Sequence, residues 1–203
     1  MQLYQFAYSP YAAKVRKYLE LQNRSFEVVE VPYMDRRDVA KLSNQVVLPV
    51  LVDGANIIAD SARITAYLDG PERDASAVVY EQWADSILED VAFRLASPAV
   101  ERKIVELNGG REDVGAMYRY IKERKFGAGC IDAWAAAAPA LTAKLRSLLD
   151  PLAAKLSNQP FLLGASPTLA DAAVWGNLAM LEWAMPGWVD RQAPDLAGWY
   201  GHL

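Results

Sequence analysis

Ser9-Pro10-Tyr11-Ala12 places a hydroxyl where a short apolar strand pattern (Leu3, Tyr4, Phe6) gives way to a helical one. Proline at a first helical position forfeits no hydrogen bond that the helix would have made. The Ser9 hydroxyl is therefore predicted at the positive end of a helix, facing unpaired backbone N–H groups. That setting suits an anion, a thiolate included. A plain N-cap serine is the competing reading. Cysteines at positions 9 and 12 would have made a redox pair. Ser9 and Ala12 stand there instead, which weighs against disulfide exchange.

Two further stretches belong with the first. Leu48-Pro49-Val50-Leu51 begins an apolar strand with a proline, a residue that sheets admit only at edges, first positions or bulges. Asp53-Gly54 marks a tight turn and Ile57-Ile58-Ala59 the returning strand of a hairpin. Asp60-Ser61 then heads an amphipathic helix carrying Ile64, Tyr67 and Leu68 on one face. A hydroxyl and free N–H groups at that helix start can take a carboxylate, and Asp60 can accept from an ammonium group. A simple cap is again the alternative.

The elements that must position these residues read strand, helix, strand, helix, strand, strand, helix. In that order the sequence resembles the glutathione transferase family, with its thioredoxin-like amino-terminal domain. The motifs are Tyr8-Ser9-Pro10-Tyr11-Ala12-Ala13-Lys14-Val15-Arg16, Leu48-Pro49-Val50-Leu51 and Ile58-Ala59-Asp60-Ser61-Ala62-Arg63-Ile64. A fourth, Phe161-Leu162-Leu163-Gly164 followed by Pro167-Thr168-Leu169-Ala170-Asp171-Ala172-Ala173, resembles the capped core helix of the family's all-helical second domain. The resemblance implies an α/β thioredoxin-like domain (βαβαββα) over residues 1–70, a linker at 71–75 and an all-α helical bundle over 76–203. It implies a serine-type transferase that conjugates glutathione to a hydrophobic electrophile, in detoxification, as a homodimer. Ser9 is then the catalytic hydroxyl that holds the thiolate, with Tyr4, Tyr8 and Tyr11 as rivals for contact with the sulfur. Pro49 is the cis-proline of such folds, and Leu48 pairs with the cysteinyl backbone of glutathione. Asp60 and Ser61 take the γ-glutamyl end, and Tyr11 lies beside the thiol.

Two positions depart from the family. Asp60 stands where Glu or Gln is common. Val47, after Val46, stands where a Lys or Gln contacts the glycyl carboxylate, leaving Gln45 or Lys41 to substitute. Losing one charge-assisted contact costs ~1.5–3 kcal/mol of binding. The same site also admits isomerase, peroxidase or dehalogenase chemistry, and a non-catalytic binding protein is the reading that Val47 and the shortened Asp60 favour.

The rest of the sequence narrows the class. The chain has 203 residues, a net charge of −4 and one cysteine, with no basic block. Nucleic acid is an unexpected partner, and an internal disulfide or cysteine-based metal cluster is ruled out. No apolar run is long enough to span a bilayer, and Met1 leads straight into the first strand, so a cytoplasmic protein without a membrane partner is expected. In the second half, Val79, Trp83, Ile87, Val91 and Leu95 recur every four residues and mark a long helical pattern. Pro139 predicts a kink or a helix start. Thr168 and Asp171 form a capping box of structural purpose. Tyr118, Arg94, Trp83 and Tyr120 are candidate walls of an electrophile site. Arg119, Lys122, Arg124 and Lys125 read as a solvated face that favours anionic co-substrates if it turns inward. Cys130 and His202 are expected to be inert.

Overall fold

The computed structural model describes residues 1–71 and 73–203. The expected linker includes Glu72, which lies outside the described residues. Four short strands, β1 (Gln2–Gln5), β2 (Glu27–Glu30), β3 (Val50–Asp53) and β4 (Asn56–Ala59), form one sheet in the order β2-β1-β3-β4. β1 and β2 are parallel, so a crossover must join them, and α1 (Pro10–Leu21) is that crossover. β3 runs antiparallel to both β1 and β4. Gly54, at φ +60°, turns the β3–β4 hairpin as Asp53-Gly54 predicts. Alternation along the strands gives the sheet two apolar faces. Leu3 and Leu51 meet Val15 and Leu19 of α1 and Ile64 and Leu68 of α3 (Ser61–Asp69). On the other face Val50 and Ala59 meet Val39 of α2 (Arg37–Ser43).

From Ala75 onward the described chain is helical: α4 (Ala75–Trp83), α5 (Glu89–Leu107), α6 (Glu112–Phe126), α7 (Cys130–Ala136), α8 (Ala138–Leu156), α9 (Leu169–Ala184), α10 (Trp188–Gln192) and α11 (Pro194–His202). A π-helical turn, Ala84–Leu88, joins α4 to α5. Pro139 sits in the first turn of α8, so it starts a helix rather than kinking one. No helix among the described residues is long and apolar enough to cross a membrane.

The four-residue series along α4 and α5 does not keep to one face. Val79 is 64% and Ile87 51% exposed, whereas Val91 and Leu95 are buried. A step of four residues turns a helix by about 40° more than a full circle, so four such steps rotate the series through about 160°. A strict period of four therefore travels from solvent to core. The buried series is Ala77, Glu81, Ala84, Leu88, Ala92 and Leu95, which mixes steps of three and four.

The α1 helix is seated on α9. A methyl group on Gly176 would lie 2.6 Å from the Pro10 carbonyl oxygen and 2.8 Å from the Lys14 nitrogen. Only glycine permits that approach, because the obstructing atoms are backbone. Beside this contact the buried Lys14 ammonium pairs with Glu81 at 2.8 Å and with Asp85. Glu81 also accepts from Thr65 of α3 at 2.8 Å and from Arg73 at 3.1 Å. The carbonyls of the π turn find partners across the same joint: Asn177 Nδ2 donates to Ala84 at 3.2 Å and the Tyr11 hydroxyl to Asp85 at 3.3 Å.

The box at the start of α9 is present. Asp171 is fully buried and accepts from the N–H of Leu162 and Thr168, each at 2.9 Å, and from Thr168 Oγ1 and Trp199 Nε1 at 3.1 Å. Four donors on one carboxylate tie the Phe161–Gly164 turn, the helix start and α11 together.

Candidate active site

Ser9 is the N-cap of α1, with extended backbone, and its Oγ accepts from the Ala12 N–H at 3.3 Å. One lone pair is engaged in that bond, and the hydroxyl proton remains available to a ligand. Ser9 opens into a cleft of ≈ 400 Å³ between the sheet end and the helices, lined also by Tyr8, Tyr11, Val46, Val47 and Leu48. The opposite wall comes from Glu89, Phe93 and Val100 of α5, from Tyr118, Ile121, Lys122 and Lys125 of α6, and from Met180 of α9.

The Leu48–Pro49 peptide bond is cis. Among the described residues, neither the N–H nor the C=O of Leu48 makes a backbone hydrogen bond. Those groups are open to an extended ligand, as the end of a sheet edge can be. The Asp60 N–H donates to the Pro49 carbonyl at 3.2 Å, which fixes the start of α3 beside the proline. Asp60 caps α3, its Oδ1 accepting from Ala62 at 3.0 Å and Arg63 at 3.2 Å, and its φ is +82°. Burial first, and the Asp60 charge least among the causes, raise the pKa values of both Tyr11 and Asp85. Ser61, the first residue of α3, is buried.

The other expected positions divide. Gln45 does not line the cleft, and Lys41 is exposed beside Asp38. Tyr4 packs beneath the sheet rather than at the cleft. Tyr8 stacks on Phe6 with centroids 5.4 Å apart and packs against Tyr33, Tyr118 and Trp183. Burial, with Tyr33 and Tyr118 beside it, pushes the Tyr8 phenol well above its ordinary pKa. Tyr11 is likewise pushed up, by burial first and then by Glu89 and Asp85. Neither phenol readily ionises here.

Three of the four expected wall residues are corrected. Tyr118 lines the cleft, whereas Arg94 pairs with Asp90 and Trp83 lines an outer groove with α8. Tyr120 is exposed. The basic cluster splits by helical phase. Arg119 turns outward to Glu101 and Asp132, each at 2.8 Å, while Lys122 and Lys125 reach the cleft. Buried Cys130 has its thiol pKa raised by burial, and His202 is exposed.

Two charged cleft residues, Arg36 and Glu89, have no counterpart among the residues singled out from the sequence. The Arg36 guanidinium lies 4.8 Å from the Phe6 ring and donates to the Val46 carbonyl at 3.3 Å. It brings a cation beside Val47, the position where the motif has none. Glu89, half buried on α5, is pushed up by desolvation to a pKa of about 7. Neither had a local signal, since Arg36 reads as one more charge in a polar loop and Glu89 as one more on a helix.

Residues 3–74 match the family described as glutathione S-transferase, N-terminal domain, and residues 132–202 match glutathione S-transferase, C-terminal domain. No curated protein is a significant sequence match. Among solved structures, a glutathione S-transferase of Ceriporiopsis subvermispora in complex with glutathione is 20% identical, with a TM-score of 0.78 over 99% of this chain and 96% of that one. One from Rhodospirillum rubrum is 19% identical, with a TM-score of 0.68 over 99% and 86%. Glutaredoxin 2 of Salmonella typhimurium, in complex with glutathione, is 18% identical, with a TM-score of 0.67 over 89% and 83%. At these identities the likeness is one of fold. The paired domain matches span well over half the sequence, and the chain belongs to the glutathione S-transferase family.

Proposed function

We propose that the protein binds glutathione along Leu48 and the α3 terminus and joins its sulfur to an electrophilic small molecule, with Ser9 stabilising the thiolate. The observation that carries this reading is the Ser9 hydroxyl, held by the Ala12 N–H at the positive end of α1 and open to the cleft. On binding, the thiol proton leaves to water. The sulfur lone pair forms the new S–C bond, and the leaving group departs with its bonding pair, or in an addition the π pair moves to the neighbouring carbon and takes up a proton. The protein supplies orientation and a fixed field rather than a covalent intermediate.

Arg36 is our candidate for the glycyl carboxylate, in place of the missing Lys or Gln. Its presence beside Val47 weakens one of the two features that favour the non-catalytic alternative, the other being the shortened carboxylate of Asp60. Steady-state kinetics with chlorodinitrobenzene and calorimetry with glutathione test the assignment together. Ser9→Ala is expected to lower turnover about tenfold to a hundredfold with little change in glutathione affinity. Arg36→Leu is expected to weaken glutathione binding about tenfold with little change in turnover at saturation. Unchanged turnover in Ser9→Ala would remove the serine from the mechanism.

A homodimer, in the cytoplasm, completes this reading. Exposed Val79 and Ile87 on the outer face of α4 and the π turn support it. Sedimentation equilibrium is expected to give twice the monomer mass, and Val79→Asp a single chain; a monomeric native protein would refute the assembly.

A further inference from the structure

The α6 wall of the cleft carries charge where a site for a purely apolar electrophile would have none. Tyr118, Ile121, Lys122 and Lys125 follow one another at spacings that place them on a single helical face, and that face lines the cleft. Lys122 is half buried, its Nζ 4.6 Å from the Tyr118 ring centroid and 5.0 Å from that of Phe93. The Tyr118 hydroxyl is turned away, at 3.2 Å from Ser97 Oγ, so a ring face is what Tyr118 offers the ammonium. No carboxylate among the described residues lies within 4.0 Å of Lys122, Lys125 or Arg36, although Lys14, Arg73 and Arg119 all have such partners. Glu89, on α5 in the same wall, is the carboxylate whose charge acts on Lys122, and desolvation pushes its own pKa up to about 7, so that it is only partly ionised at neutral pH. Desolvation, with Lys125 and Arg36 nearby, lowers Lys122 to about 8, so it remains mostly cationic at neutral pH.

A cation that is partly desolvated and unpaired is costly unless a ligand anion completes it. Aromatic faces offset only part of that cost. We propose that Lys122 forms an anion subsite for the second substrate, making the preferred electrophile one that carries a carboxylate, with Lys125 at the mouth of the cleft adding to its field. The inference rests on the transferase reading of the same cleft and names the substrate class within it. It assigns Arg36 to the glycyl end of glutathione and Lys122 to the electrophile.

Calorimetry with glutathione, with S-alkyl glutathione conjugates and with matched S-(carboxyalkyl) conjugates from carboxymethyl to carboxypentyl tests it. At least one carboxyalkyl conjugate is expected to bind about tenfold more tightly than its alkyl match. Lys122→Met, close in shape, is expected to abolish that preference, and Lys122→Arg to keep it. Thermal melting of each variant separates loss of the subsite from loss of the fold. Equal affinity for alkyl and carboxyalkyl conjugates in the native protein, with glutathione bound, overturns the anion subsite alone. A Lys122→Met protein that weakens glutathione itself as much as its carboxyalkyl conjugates also overturns it, because the lysine would then serve the tripeptide. Binding of none of these ligands overturns the transferase reading and the subsite with it.

Discussion

A serine hydroxyl is a weak acid, and at Ser9 its use lies in position rather than acidity. Its oxygen accepts from the Ala12 N–H, and its proton is free to turn to a ligand in the cleft. This much was legible in Ser9-Pro10, because an N-cap is decided within four residues of sequence. Arg36 and Glu89 were not, because each acquires its role from elements far away in the sequence. Glu89 also sets a pH dependence. Its folded pKa, about 7 against an ordinary 4.5, means that the folded state binds more protons than the unfolded one between those values. Its contribution to stability is fully present below the ordinary value and is lost as pH rises through about 7. We expect a loss on the order of 1–2 kcal/mol across that window, after allowance for solvent screening. Glu89→Gln should flatten the slope, as read by urea denaturation at several pH values. An unchanged slope would place the titration elsewhere.

At the scale of elements, the secondary structure of the first half followed from punctuation: Pro10, Pro49, Asp53-Gly54 and Asp60-Ser61 each mark a boundary that the fold keeps. The long helices were harder. They lack punctuation, and a small departure from the helical period accumulates, so Val79 and Ile87 are exposed while Val91 and Leu95, in the same series, are buried. The wall of the cleft was half read for the same reason. Tyr118 was found, whereas Tyr120, two residues on, lies on another face and Ile121, Lys122 and Lys125 share the first one. The capping box was the exception, being local. Asp171 serves three segments at once, so Asp171→Ala would strand buried N–H donors on each. A loss of about 3–5 kcal/mol of stability is expected by thermal or urea unfolding, well beyond the ~1 kcal/mol of an ordinary exposed cap.

At the scale of the whole molecule, the sheet-bearing half and the helical half meet through charge as much as through apolar contact. Lys14 lies under Glu81 and Asp85, and Glu81 is shared with Thr65 and Arg73. Removing the ammonium strips Asp85 of its cation and leaves buried Glu81 with Arg73 alone, which is worse than never having had the cluster. Lys14→Met is expected to cost about 3–5 kcal/mol and to lower the unfolding midpoint followed by both tryptophan fluorescence and circular dichroism. A cost below about 1 kcal/mol would mean that water already reaches the pair. None of this joint was visible in the sequence, where Lys14 looked like one more charge on a helix. The Gly176 contact carries the same joint into the question of exchangeable parts. The helix that bears Ser9 rests on a glycine belonging to the other half, so closely that a methyl group there would lie within 3 Å of the helix backbone. A chimaera that borrowed its helical half from a relative with any side chain at that place would inherit Ser9 but not its seat. The halves of this protein are therefore not interchangeable modules, and a successful graft must bring Gly176, Asn177, Glu81 and Asp85 along with Pro10, Tyr11 and Lys14.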